Sequence, residues 1–194
     1  MTQSFYSMSQ PEFTSPALSE TVITELMVPS YTNFGGKIHG GVILSLMDKV
    51  AYVCASKHAR AYCVTASVDT VDFLESVEVG DLVSLKASIN YTGRSSMVVG
   101  IRVESENVKS NVVKHTNTSY FTMVAKDERH RSMQVPGLIL ETEEQIRRFM
   151  EAVKRKELKL AMKNETRHIK TSFSLPEAIR LLQNERCIIK EIAL

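Results

Sequence analysis

Between residues 42 and 58 the chain has no glycine or proline, and Ile43, Leu46, Met47, Val50 and Cys54 recur at the spacing of a helix buried along one face. Beyond that segment the hydrophobic period drops to 2. Val83, Leu85, Ala87, Ile89 and Tyr91 alternate with Ser84, Lys86, Ser88 and Asn90, and Met97, Val99, Ile101 and Val103 repeat the pattern. This is how strands with one covered face read. Segments 64–74 and 111–126 complete a set of four strands, and the apolar-rich segment 21–28 supplies another before the helix. Val79-Gly80-Asp81, Tyr91-Thr92-Gly93 and Glu106-Asn107 provide turn chemistry, so the pattern predicts hairpins and an antiparallel sheet. A helix of about 18 residues is roughly 27 Å long and a strand of about 9 residues roughly 30 Å. One helix can therefore lie across one curled sheet. Nothing else in this region can cover the sheet's apolar face, and the fold class is α+β.

After Pro136-Gly137 the pattern turns helical again. Glu141, Glu143 and Glu144 open the segment, Lys154, Arg155 and Lys156 lie further along it, and Ile146, Phe149, Met150 and Val153 form a narrow apolar stripe. Ser174-Leu175-Pro176-Glu177 has capping-box spacing and predicts a second helix running to about residue 187. Its apolar face calls for packing on the same chain or on a neighbouring subunit. The expected division is a flexible segment 1–20, a sheet-and-helix domain 21–137 and a helical extension 138–194.

Composition trims the alternatives. With 194 residues, 43% of them hydrophobic and 24% charged, the chain suits one sizeable core and shows no membrane-inserting run. A net charge of +2, with basic residues clustered only between 147 and 170, gives little support for nucleic acid. Cys54, Cys63 and Cys187 are odd in number and widely spaced, which predicts reduced thiols. Residues 1–20 lack the basic and apolar regions of a secretion signal, so a cytoplasmic location is expected. No two histidines have ligand spacing beside a carboxylate, and no metal is expected.

The candidate chemistry lies where the helix begins. Asn33-Phe34-Gly35-Gly36-Lys37-Ile38-His39-Gly40-Gly41 has four glycines in seven positions, too many for helix interior. Such a loop delivers unpaired N–H groups at a helix N-terminus, where glycines let a substrate approach closely. Eight residues on, Asp48 lies about 140° from the centre of the apolar stripe, on a flank shared with Gly41, Leu44, Tyr52 and Ala55. Gly40 and Gly41 suit a developing oxyanion, Asp48 a general base or nucleophile, and Asn33 an orienting amide. Acyl transfer to water fits these roles.

The blocks Tyr31-Thr32-Asn33, Ile38-His39-Gly40-Gly41, Met47-Asp48, Val64-Thr65-Ala66-Ser67-Val68-Asp69, Gly93-Arg94-Ser95-Ser96-Met97 and Tyr120-Phe121-Thr122 occur in register across residues 21–137. Together they resemble the acyl-CoA thioesterases of the hot-dog fold, in the cytosolic branch that includes YciA-like and brain acyl-CoA hydrolases. The resemblance implies an antiparallel sheet wrapped around one long central helix, hydrolysis of acyl-CoA to acid and CoA, and active sites at a dimer interface within a trimer of dimers. It makes Asp48 the catalytic carboxylate, the Gly41 N–H an oxyanion donor and Asn33 a polar partner from the facing subunit. His39 and Gly40 then contact the thioester end without proton transfer. Arg94, Ser95 and Ser96 contact CoA, the guanidinium meeting a phosphate as a planar fork. No cofactor is required, because CoA belongs to substrate and product. Asp69 and Asp72 are expected on opposite faces of one strand with structural or subunit-contact roles. A non-enzymatic acyl-CoA sensor and a hot-dog hydratase or dehydratase are the alternatives; the extension is not covered by the resemblance.

Overall fold

The computed structural model describes residues 12–190. In chain order its elements are β1 (Phe13–Thr14), β2 (Thr21–Leu26), α1 (Gly40–Ala59), β3 (Tyr62–Val68), β4 (Leu82–Thr92), β5 (Ser96–Asn107), β6 (Val112–Lys126), β7 (Gly137–Leu138), α2 (Glu143–Thr171) and α3 (Leu175–Leu181). β2, β4, β5, β6 and β3, in that spatial order, make an antiparallel sheet, and α1 packs against all five strands. The curled antiparallel sheet around a long central helix is the hot-dog arrangement.

The core follows the two periodicities. Ile43, Leu46, Met47, Val50 and Cys54 of α1 are buried against Val83, Leu85 and Ile89 of β4, Met97, Val99, Ile101 and Val103 of β5, and Phe121 and Met123 of β6. Ala55, expected on the Asp48 flank, belongs to this core, because a methyl group costs nothing to bury at its edge. Register shifts at Ala66 in β3, Asn90 in β4 and Thr116 in β6 add one residue each and increase the local twist, which bends the sheet round the helix. At the second of these the Asn90 amide fills the space over Gly100, where a Cβ would lie 2.2 Å from its nitrogen.

Three boundaries differ from the sequence expectation. The strand read as 64–74 leaves the ladder after Val68, although Asp69 N–H still donates to Tyr120 O and Leu74 N–H to Thr116 O. Asp69 and Asp72 are therefore not on opposite faces of a strand. Residues 12–20 are not a free segment: β1 pairs with β7, the Ser15 hydroxyl donates to Glu141, and Ser19 is buried. The part of the flexible segment before residue 12 lies outside the described residues. The chain also divides into compact units at Ala152/Val153 and not at 137/138. The first turns of α2 belong to the sheet's unit, with Arg148 donating to Ser88 Oγ at 3.1 Å, Phe149 5.3 Å from the Tyr91 ring and Ala152 buried.

Within the second unit, α3 ends at Leu181 and passes into a 3-10 turn at Leu182–Asn184, short of residue 187. Ser174 sits at the N-cap without a side-chain capping bond, so the expected capping box does not form. Ile179, Leu181 and Leu182 are exposed.

The three cysteines are free, and burial pushes the Cys54 thiol up to about 12, which removes it as a nucleophile. His58, near the end of α1, joins two outlying segments: Nε2 lies 3.2 Å from Pro136 O and Nδ1 3.4 Å from Ser19 Oγ. Burial lowers its pKa, partly offset by the bond to Pro136. The unfolded chain therefore takes up this proton at a higher pH than the folded one, and His58 contributes full stability above about pH 6.5 and loses it as pH falls towards the folded value. Urea midpoints are expected to fall between pH 7.5 and pH 5, with a shallower fall in His58→Gln; identical slopes would exclude His58 as the cause.

Candidate active site

The loop before α1 is built from its own polar groups. Asn33 Oδ1 accepts from Gly35 N–H at 2.8 Å and Lys37 N–H at 3.3 Å, Gly36 adopts φ +76°, and Thr32 bridges Ile38. Asn33 thus spends its carbonyl on the turn, and its amide NH2 has no hydrogen-bond partner among the described residues. His39 N–H donates to Tyr31 O at 2.8 Å and seats the residue as the N-cap of α1. Its Nδ1 accepts from Gly41 N–H at 2.9 Å, which leaves Nε2 to carry the ring proton.

That cap changes one expectation. The Gly41 N–H read as an oxyanion donor is already engaged by the His39 ring, whereas the Gly40 N–H has no partner among the described residues. The Phe73 ring packs over Gly40, 3.2 Å from where a Cβ would stand, and glycine is what allows that approach.

Asp48 projects from α1 two turns further on, about 12 Å along the axis. Its carboxylate is exposed and Oδ1 accepts from Thr65 Oγ1 at 2.5 Å, with Met123 Sδ 3.4 Å from the same hydroxyl. Thr65 lies next to the bulge in β3, where the register shift aims it at the helix. Thr65 carries no local signature in the sequence, because its bond joins β3 to α1. An open groove of about 670 Å³ runs past the pair, lined by Ile23, Tyr52, Val53, Tyr62 and Val64.

The remaining candidates lie elsewhere in the chain. Arg94, in the β4–β5 turn, has an exposed side chain beside a separate cleft of about 330 Å³, and its carbonyl accepts from Val135 N–H. Ser95 is half-buried with its carbonyl on Ala125 N–H, and Ser96 opens β5 with its carbonyl on Gly93 N–H. Neither Asn33, His39, Gly40 nor Arg94 lines the Asp48 groove. Among the described residues no group of three or more His, Cys, Asp or Glu is placed to hold a metal ion. One chain thus carries a helix-entry loop and a carboxylate groove as separate parts.

A family model, the thioesterase superfamily, matches residues 35–111, which include the loop from Gly35 on, all of α1 and Thr65. The crystal structure of an apo-hexameric acyl-CoA thioesterase superposes with a TM-score of 0.76 at 39% identity, covering 78% of this chain and 97% of that one. This chain belongs to the thioesterase superfamily. Among its relatives, protein VdlD of Helicobacter pylori is 44% identical over 141 residues, 73% of this chain and 80% of that protein. The acyl-CoA hydrolase of Staphylococcus aureus, solved with butyryl coenzyme A and coenzyme A, superposes with a TM-score of 0.74 at 31% identity over 82% of this thioesterase and 98% of that chain. Alanine variants of the S. aureus hydrolase replace an asparagine, an aspartate 15 residues later and a threonine 17 residues after that.

Proposed function

We propose that this thioesterase hydrolyses acyl-CoA at a site built from Asp48 and Thr65 of one subunit and the Asn33–Gly41 loop of another. The observation that carries the reading is the Asp48–Thr65 pair on an open, largely apolar groove. The spacing supports it: Asn33, Asp48 and Thr65 stand 15 and 17 residues apart, matching the three residues replaced in the S. aureus hydrolase.

In this scheme the acyl chain lies along the groove and the thioester carbon meets Asp48. The Thr65 hydroxyl holds one carboxylate oxygen and leaves the other to take a proton from water or to add to the carbonyl carbon. In the first route water attacks, the oxyanion collapses and CoA leaves as a thiolate that then takes up a proton. In the second, Asp48 adds to the carbonyl carbon, the C–S bond breaks to release CoA thiolate and leave an acyl-Asp48 anhydride, and water cleaves that anhydride to the acid and free Asp48. In single turnover in ¹⁸O-water, label found in Asp48 identifies the anhydride route with water attacking the Asp48 carboxyl carbon. The Gly40 N–H, or the Gly41 N–H once the His39 ring turns aside, stabilises the oxyanion, and the Asn33 NH2 orients the carbonyl or the water. Arg94, with Ser95 and Ser96, meets the phosphates of CoA.

Pairing through the free edge of β3 brings a second subunit over the groove, where Tyr62 is 52% and Val68 44% exposed. A dimer extended to a hexamer accords with the hexameric relative. We assign the enzyme to the cytoplasm; no helix among the described residues is long and apolar enough to cross a membrane.

A panel of acyl-CoA substrates from acetyl to palmitoyl, read by free thiol release, tests the function. Turnover on at least one is expected, and binding without turnover on all of them would make the protein a sensor instead. Thr65→Ala is expected to lower kcat roughly 10- to 100-fold through loss of a hydrogen bond to a charged group, with Thr65→Ser close to the parent. A full-rate alanine variant would show that Thr65 does not position Asp48.

A further inference from the structure

The charge of this chain is unevenly placed. Residues 153–190 hold ten Lys and Arg against four Glu, a net of +6 within a chain whose total is only +2. The unit 153–194, with Glu191 counted, therefore carries net +5 against net −3 over residues 1–152. None of this excess takes part in the proposed site.

Within α2 the excess is ordered. At about 100° per residue, Lys156, Lys159, Lys163, Arg167 and Lys170 fall within a sector of about 80°, running along one side of the helix. Leu158, Met162 and Ile169 fall within about 40° of one another, centred about 120° round from the basic sector. They are 69%, 73% and 60% exposed, and Phe173, just past the helix, is 67% exposed.

We infer that this extension is a peripheral docking element for an anionic lipid surface. A narrow apolar stripe beside a basic sector, on a helix of low overall hydrophobicity, lies along a bilayer interface with its apolar side chains among the acyl chains and its lysines reaching the headgroups. The complementarity is in the sign of the charge: the sector carries five basic side chains and no acidic one, and an anionic surface neutralises them. A hexameric thioesterase matched over 97% of its own length corresponds to 78% of this chain.

The test uses the full-length protein and flotation with vesicles of phosphatidylcholine alone or with about 30 mol% phosphatidylglycerol. Binding is expected only to the anionic vesicles and is expected to fall at least tenfold in about 0.5 M salt. Lys163→Gln/Arg167→Gln/Lys170→Gln is expected to weaken the partition coefficient roughly a hundredfold. Leu158→Ser/Met162→Ser is expected to weaken it at least tenfold. Circular dichroism and turnover of a short-chain acyl-CoA, unchanged in these variants, show that the fold is intact. Equal binding to neutral vesicles, no binding to anionic ones, or an unaffected triple variant would overturn the inference. So would a salt-sensitive rise in sedimenting mass that the triple variant abolishes without any vesicle binding, which would assign the face to a second copy of the chain.

Discussion

Asp48→Ala is expected to give a folded protein that binds acyl-CoA but turns it over about a thousand times more slowly than the parent, measured by free thiol release under saturating substrate. The carboxylate is exposed, lies off the packed stripe of α1, and makes one side-chain hydrogen bond, from a threonine that is itself exposed. Its removal opens no cavity and strands no buried group, so the thermal midpoint is expected to move little. Loss of turnover with an unmoved midpoint is the signature of a group that acts on substrate. Parent-like rates would end the assignment of Asp48 and, with it, the reading of the groove.

Val50→Asp, two residues further along the same helix, is expected to do the opposite and destroy the fold. Val50 is fully buried at the centre of the stripe that covers the sheet. An aspartate there has no cation beside it and costs several kcal/mol to bury, while the lost valine packing adds about 1–3 kcal/mol. Domains of this kind hold a margin of roughly 5–15 kcal/mol, most of which would be gone. No cooperative thermal transition, or recovery only as insoluble protein, is the expected result; a variant that melts near the parent would show that α1 is not the element on which the sheet depends.

The contrast between these neighbours was legible in the sequence because a helix has a fixed angular step. Val50 belongs to the repeat that begins at Ile43, and Asp48 falls outside it, so burial and exposure followed from position alone. The alternation in β4 and β5 was legible for the same reason. Thr65 was not, since what joins it to Asp48 is a sheet bulge and a helix crossing that bring together residues 17 apart in sequence. The end of β3 falls short of where the alternation places it, because Val71 and Phe73 keep the alternation going after the backbone has left the ladder; Phe73 packs over Gly40. Nor could the loop's glycines show that one helix donor would be taken by the ring of the preceding histidine, a matter of one side-chain torsion.

The open edge of β3 has a consequence for handling the protein. β3 is the outer strand of its sheet, paired with β6 on one side, and Tyr62 and Val68 are exposed along it; such an edge is adhesive to an extended chain. A lone subunit is therefore a short-lived species that either finds its own kind or aggregates. Dilution should shorten the working life of the preparation, and its melting temperature should rise with concentration.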